Sequence, residues 1–418
     1  MRERYRFLMR SGLDLSCSLL MQMTLLGGMI AIFMLDSLRN LAYFTFALSI
    51  CGPISLFAGM SLMELLFSGD ERYQNLRQVG VAQLLCYVII AALGAAVIAL
   101  WDRSYLLVFA IVAVGRGADL ICSLTIHVMR ARGWFKQIAL LGFLQFGLFL
   151  ILAALTLLFA VATPVVEIST VLAVVSILQA ALALYWLRDA LARKPGAEPL
   201  RPFSFVRAHV FRSVAISLNS VQGNAPRYGL ELLVSPQHQA AFSLVYTVVR
   251  AGTILFQSLF VPVVGLFKAH YEKTPRRAVL IASGSFGAAS AMFTVVLLGA
   301  WMVFVNFGGV AHLGRELQAL LTPAAGTAIL VGCGVYLFRF GLWQLVSLLD
   351  SGQRQSAYAL IGVAVTALGV VALTPTYGLI GAAAAEIIGN LMLLVLPLLF
   401  WLRRKPPLAN ATQNAHKP

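Results

Sequence analysis

Twelve apolar runs separated by short polar breaks make up almost the whole chain: about 12–35, 41–67, 79–101, 104–128, 137–161, 165–187, 210–234, 239–267, 278–306, 318–348, 356–374 and 378–402. A helix needs about 20 apolar residues to cross the hydrocarbon of a bilayer. The pattern therefore predicts an all-α integral membrane protein with about twelve transmembrane helices. Most breaks on one side are very short, at Asp36 to Asn40, Asp102 to Ser104, Thr163 to Glu167 and Ser235 to His238; only the one near Gly308 to Glu316 is longer. The longest polar stretch, 188–212, carries Pro195, Gly196, Pro199 and Pro202, a breaker density that marks a linker. It divides the helices six and six: an N-lobe at 1–187, a basic linker at 188–209, a C-lobe at 210–403 and a polar tail at 404–418. The end of the linker, FSFVRAHVFR, reads equally as an amphipathic segment on the inner membrane surface and as a plain solvated loop.

Composition agrees with the pattern. The 418 residues are 60% hydrophobic and 11% charged, with a net charge of +15, more apolar than a soluble core can absorb. The positive charge does not point to nucleic acid, because that reading needs basic residues gathered on one solvated face. Here they cluster between the apolar runs. Alternate connections hold 24 of the 31 Lys and Arg, against Arg39, Arg103 and Arg315 on the other side. Cytoplasmic loops retain such residues, so both termini and the linker are expected on the cytoplasmic side. The arginines at 2, 4, 6 and 10 imitate a signal peptide, but the apolar stretch behind them is long enough to stay as the first span.

Little in the chain suggests bond-making chemistry. Cys17, Cys51, Cys86, Cys122 and Cys333 stand singly inside apolar runs, and the six histidines are scattered, so neither a metal site nor a cofactor is expected. No Gly-x-x-x-x-Gly-Lys-Ser/Thr loop occurs. Short connections also leave no room for the extramembrane segments on which membrane glycosyltransferases and polymerases carry catalysis.

The four remaining basic residues, Arg116, Arg227, Arg250 and Arg339, lie inside apolar runs. An arginine at membrane depth costs about 2.5 kcal/mol or more, so it faces a wet cavity or a partner. Asp119 follows Arg116 at i+3 and Glu231 follows Arg227 at i+4, spacings that permit pairing on one helix. That pairing could be all these acids do. Arg250 and Arg339 have no acid within a turn of their own helices, which makes them the stronger candidates for holding a ligand anion. A planar guanidinium fork matches phosphate. Gln344, with Trp343 beside it, lies about one turn beyond Arg339 and could line the same cavity. Glu64, Asp119 and Glu386 could bind a coupling ion, H+ or Na+; for Glu386 an interhelical hydrogen bond in a seam with Gly378, Gly381 and Gly389 is the favoured alternative.

Two matches link the halves. Ser37 to Phe44 has the spacing of Ser235 to Phe242, and LLFSGDERYQNLRQV at 65–79 lines up with GLFKAHYEKTPRRAV at 265–279. Parallel repeats of this kind place a site at the interface between lobes.

The segment LNSVQGNAPRYGLELLVSPQHQAAFSLVYTVVR at 218–250, and PTYGLIGAAAAEIIGN ahead of the last run, resemble helices seven and eight and the final hairpin of bacterial polysaccharide exporters. These are the O-antigen and lipid-linked oligosaccharide flippases of the multidrug/oligosaccharidyl-lipid/polysaccharide superfamily. The resemblance implies two six-helix lobes around a central cavity that opens alternately to each side. It implies an undecaprenyl-diphosphate-linked oligosaccharide as substrate, and membrane proteins of polysaccharide assembly as partners. A multidrug antiporter of the same superfamily is the alternative, disfavoured by the excess of arginine over free acid inside the membrane.

Overall fold

The computed structural model describes residues 2–59, 76–158, 163–191, 202–250, 267, 271, 273–309 and 315–403. Its described residues form twelve α-helices: α1 (Arg2–Leu35), α2 (Leu38–Gly59), α3 (Leu76–Trp101), α4 (Leu106–Ala131), α5 (Phe135–Leu158), α6 (Pro164–Leu191), α7 (Pro202–Leu233), α8 (Pro236–Arg250), α9 (Pro275–Asn306), α10 (Arg315–Leu320), α11 (Pro323–Leu349) and α12 (Gly352–Arg403). Nine of the described helices are long and apolar enough to cross a membrane. On α3 the large side chains Val81, Leu85, Val88, Leu93, Val97 and Leu100 are all exposed, Leu100 at 89%. A continuous apolar stripe of that size suits hydrocarbon rather than water.

Three boundaries differ from the sequence expectation, each for a local reason. The apolar run 318–348 is interrupted: α10 ends at Leu320, and Thr322 caps α11 by accepting a bond from the Ala325 amide (3.2 Å), with Pro323 at the first helical position. The last two runs join as one α12, which turns at Gly378, whose φ of 53° is a left-handed value that glycine tolerates. Residues 202–209 continue into α7 as one helix begun by Pro202; the linker residues 192–201 lie outside the described set, as do residues 65–75 of the first repeat match. The second match has a physical basis. Ser37 Oγ accepts from the Asn40 amide (3.2 Å) and Ser235 Oγ from the His238 amide (3.4 Å), so the same hydroxyl cap opens α2 and α8, and Phe44 and Phe242 are both buried seven residues on.

Residues 1–217 and 218–409 belong to two compact units, divided inside α7. In the first unit α4 packs along α6 and α1 along α5. Small residues permit the approach: a Cβ on Gly142 of α5 would sit 2.7 Å from the Cα of Cys17 on α1. In the second, α11 packs against α12, α9 and α8.

A buried clasp closes the α12 hairpin. Asp350, in the turn before α12, is wholly buried; its Oδ2 accepts from the Trp401 indole (3.1 Å) at the far end of α12, and its Oδ1 lies 3.6 Å from Arg354. Burial raises the Asp350 carboxyl above its ordinary 3.8, with Trp401 and Arg354 partly opposing it. The folded form then binds a proton more readily than the unfolded form. This group's contribution is most favourable below 3.8 and is lost as pH rises through the folded value. Melting in detergent as pH rises above 3.8 should therefore have a flatter pH dependence in Asp350→Asn than in the native chain. Asp350→Ala should lower the melting temperature outright, because it strands the buried indole N–H; an unchanged melting curve would mean that the clasp carries no weight.

Candidate functional site

Helix α7 carries amides and charges through an otherwise apolar run, and the helices of the second unit fold them inward. Asn219 and Gln222 stand three residues apart, and Asn224, Arg227 and Glu231 follow one another at three and four, intervals that keep the side chains of each set near one face of the helix. Gln222 is 0%, Asn224 1% and Arg227 5% exposed, so their polar atoms need protein partners. Asn224 is set by its own helix, donating from Nδ2 to the Ser220 carbonyl (2.9 Å), which leaves its Oδ1 to accept from Arg227 Nη1 (2.8 Å). The Arg227 guanidinium also lies over the ring of Tyr246 on α8, 4.8 Å from its centroid.

Arg339 of α11 is placed in the same way from the other side. Its Nη1 donates to Asn219 Oδ1 and to Gln222 Oε1 (2.9 Å), and its guanidinium lies 4.9 Å from the Tyr336 ring centroid. Tyr246 and Tyr336 are themselves neighbours at 5.9 Å. The two arginines thus flank a pair of tyrosines. Gln222 extends the network by donating from Nε2 to Thr366 Oγ1 (3.2 Å) and to Asn390 Oδ1 (3.3 Å), both on α12. Amide acceptors and ring faces help to orient each guanidinium, and a desolvated cation–π contact contributes about 2 kcal/mol. Glu386, one turn before Asn390, is 1% exposed, with Oε2 3.8 Å from where a Cβ on Gly332 would stand.

Sequence reasoning singled out Arg227, Arg339 and Glu386, and all three lie buried in the second unit. Arg250 closes α8, one turn beyond Tyr246, with its side chain outside the described set. Gln344 is half-buried on α11. Glu64 lies outside the described residues. Arg116 and Asp119 belong to the first unit, where they pair at 3.3 Å, each more than a quarter exposed. There they line a cavity of about 100 Å³ together with Thr24, Gln145, Ser169 and Ser176. Gln222, Tyr246, Tyr336, Thr366 and Gln145 carried no signal in the sequence, since one amide, hydroxyl or phenol in a membrane helix is commonplace until packing gives it a partner. Among the described residues no group of His, Cys, Asp and Glu could hold a metal ion.

The fold is similar to that of solved transporters. The chain is similar to the outward-facing conformation of a multidrug resistance MATE family transporter of the MOP superfamily, with a TM-score of 0.62 at 14% identity over 96% of this chain and 95% of that one. The inward-facing conformation of a multidrug resistance MATE family transporter of that superfamily matches with a TM-score of 0.60 at 14% identity, covering 95% and 94%. A MOP superfamily transporter from Pyrococcus furiosus, described as having a binding pocket of reverse polarity that suggests a different function, matches with a TM-score of 0.59 at 13% identity, covering 94% and 95%. The fold is therefore that of these transporters. No family model matches the sequence, and no curated protein does.

Proposed function

We propose that the chain is a transporter that moves a polyprenyl-diphosphate-linked oligosaccharide from the inner to the outer leaflet of a bacterial cytoplasmic membrane, by alternating access and without making or breaking a covalent bond. The observation that carries this reading is the buried network in which Arg227 and Arg339 are held by Asn219, Gln222, Asn224 and two tyrosines. Such preorganised guanidinium groups suit a diphosphate. Arg250 and Arg116 would add to the positive field and Gln344 to the lining, while Asp119, Glu386 or Glu64 would take a coupling proton or sodium ion. The lobes would be 1–187 and 210–403, with membrane proteins of polysaccharide assembly as partners. The Pyrococcus furiosus transporter offers a precedent for a pocket of reversed polarity on this fold.

Likeness to multidrug MATE structures favours a second reading, export of cationic drugs. Deletion and complementation separate the two. The flippase reading expects lipid-linked oligosaccharide to accumulate on the cytoplasmic leaflet of cells lacking the chain and to clear on its return; resistance to cationic dyes without that change would favour the antiporter.

The orientation that goes with this reading puts both termini and the linker inside, from the distribution of Lys and Arg. Single cysteines at Ala197 and Gly309 should be labelled by an impermeant thiol reagent from opposite faces. Labelling from one face would overturn the twelve-span topology.

A further inference from the structure

The turn between α4 and α5 gathers two cations that the rest of the first unit leaves unused. Arg132 caps the end of α4, after which Gly133 takes a left-handed φ of 76° and the Trp134 amide donates back to the Met129 carbonyl (2.9 Å). This helix-ending motif reverses the chain within a few residues, so Arg132 and Lys136, the second residue of α5, stand close enough for both to reach one small anion. Both are exposed, and among the described residues neither makes an ion pair. Asp14 of α1, which comes to this end of the unit, is already held by Arg130 at 2.7 Å. Trp134 packs against the buried core around Met129 and Ile138, and its ring lies 5.6 Å from the Arg132 guanidinium carbon, which helps to keep that side chain at the turn.

Beyond the turn α5 has two faces. Ile138, Leu141, Gln145 and Phe149 are buried in the unit, whereas Leu140, Phe143, Leu144, Leu150 and Ile151 are exposed and continue from Lys136 at helical spacing as one stripe. Gly147 lies in the middle of that stripe, with nothing within 4 Å of where a Cβ would stand, and so leaves a notch in it. Any spanning helix exposes apolar side chains to lipid; this face adds a pair of cations at its head and an open notch along its length. A soluble anion would leave the stripe uncovered. A zwitterionic lipid would bring its own ammonium beside Arg132 and Lys136 while Asp14 is already engaged, whereas an anionic head brings a phosphate that both cations suit. We propose that this face of the first unit binds an anionic phospholipid of the surrounding bilayer, its phosphate on Arg132 and Lys136 and an acyl chain along α5 in the notch at Gly147. The site is separate from Arg227 and Arg339, and it does not depend on what the chain transports.

The test titrates the full chain, purified and stripped of lipid in detergent, with phosphatidylglycerol and with phosphatidylethanolamine of the same acyl chains, and reads the bound lipid by native mass spectrometry. Phosphatidylglycerol should bind the more tightly. Arg132→Gln and Lys136→Gln, both at exposed positions and so expected to fold, should each weaken it about fivefold, the share of one basic residue at a membrane surface, and the double variant should hold the two lipids equally. Gly147→Phe, which fills the notch, should weaken both lipids and keep the preference between them. Equal affinity of the native chain for the two lipids, or a preference that survives in the double variant, would overturn the site, and unchanged binding in Gly147→Phe would overturn the placement of the acyl chain. Displacement of phosphatidylglycerol by undecaprenyl phosphate at equal concentration would give the turn to a polyprenyl carrier and overturn the assignment to a bilayer phospholipid.

Discussion

Arg339→Ala should abolish export of lipid-linked oligosaccharide in cells that express it at matched levels. The side chain is 3% exposed and donates to Asn219 and Gln222, so its removal takes away a cation and leaves the buried Gln222 Oε1 and the half-buried Asn219 Oδ1 short of a donor. Stranding the buried one costs about 1–3 kcal/mol, and a loss of melting temperature should accompany the loss of transport. Arg339→Lys separates the two effects. An ammonium keeps the charge and can reach one amide, but it lacks the planar fork, so stability should largely recover while transport recovers only in part. Full transport in Arg339→Ala would mean that the network is structural and holds no substrate. Arg250→Ala, by the sequence argument, should behave similarly. Arg227→Ala should be harder to read because Glu231 stands four residues away, and pairing it with Glu231→Gln isolates the guanidinium's own part.

Gly381→Ala should give almost no folded protein. A Cβ there would press far inside contact distance on the Leu373 carbonyl, across the turn of α12. Backbone in a helical hairpin cannot move aside as a side chain can, so the cost belongs with the severe overpacking cases, about 4 kcal/mol or more. Gly389→Ala makes an instructive contrast. Its Cβ would press on the Thr366 hydroxyl, a side-chain atom, so adding Thr366→Ala should restore part of the yield. Restoration would be partial because Thr366 Oγ1 also accepts from Gln222. Monodisperse yield by size-exclusion chromatography reads both results. Wild-type yield for Gly381→Ala would show that the α12 hairpin is not closed as described.

Much of this architecture was legible as pattern. Apolar runs of spanning length located the helices, and PTYGLIGAAAAEIIGN marked both the turn at Gly378 and the close seam behind it. The split between α10 and α11 was hidden because Leu320 and Leu321 carry the apolar run up to the break and Thr322 interrupts it too briefly, although Thr322-Pro323 is a helix-start signal. The linker end read as surface material on charge, whereas Pro202 starts a helix that runs on through Pro226. In the candidate site, arginine was visible because a charge at membrane depth needs a reason. Its partners were not. Gln222 acquires a role only when α11 brings Arg339 to it and α12 brings Thr366 and Asn390, and Tyr246 and Tyr336 only when α8 and α11 set their rings together. Spacing along one helix proposed Glu231 for Arg227, while the fold supplies Asn224 and Tyr246 as further contacts.

Transport by the purified chain in sealed proteoliposomes tests the central claim most directly. Polyprenyl-diphosphate-linked oligosaccharide extracted from native membranes is placed in both leaflets, and a glycosidase added outside reports how much of the inner-leaflet pool becomes accessible. The account expects the whole pool to be consumed with the native chain and only the outer leaflet's share with Arg339→Ala. No inner-leaflet consumption by the native chain, together with movement of a cationic dye in the same vesicles, would contradict it.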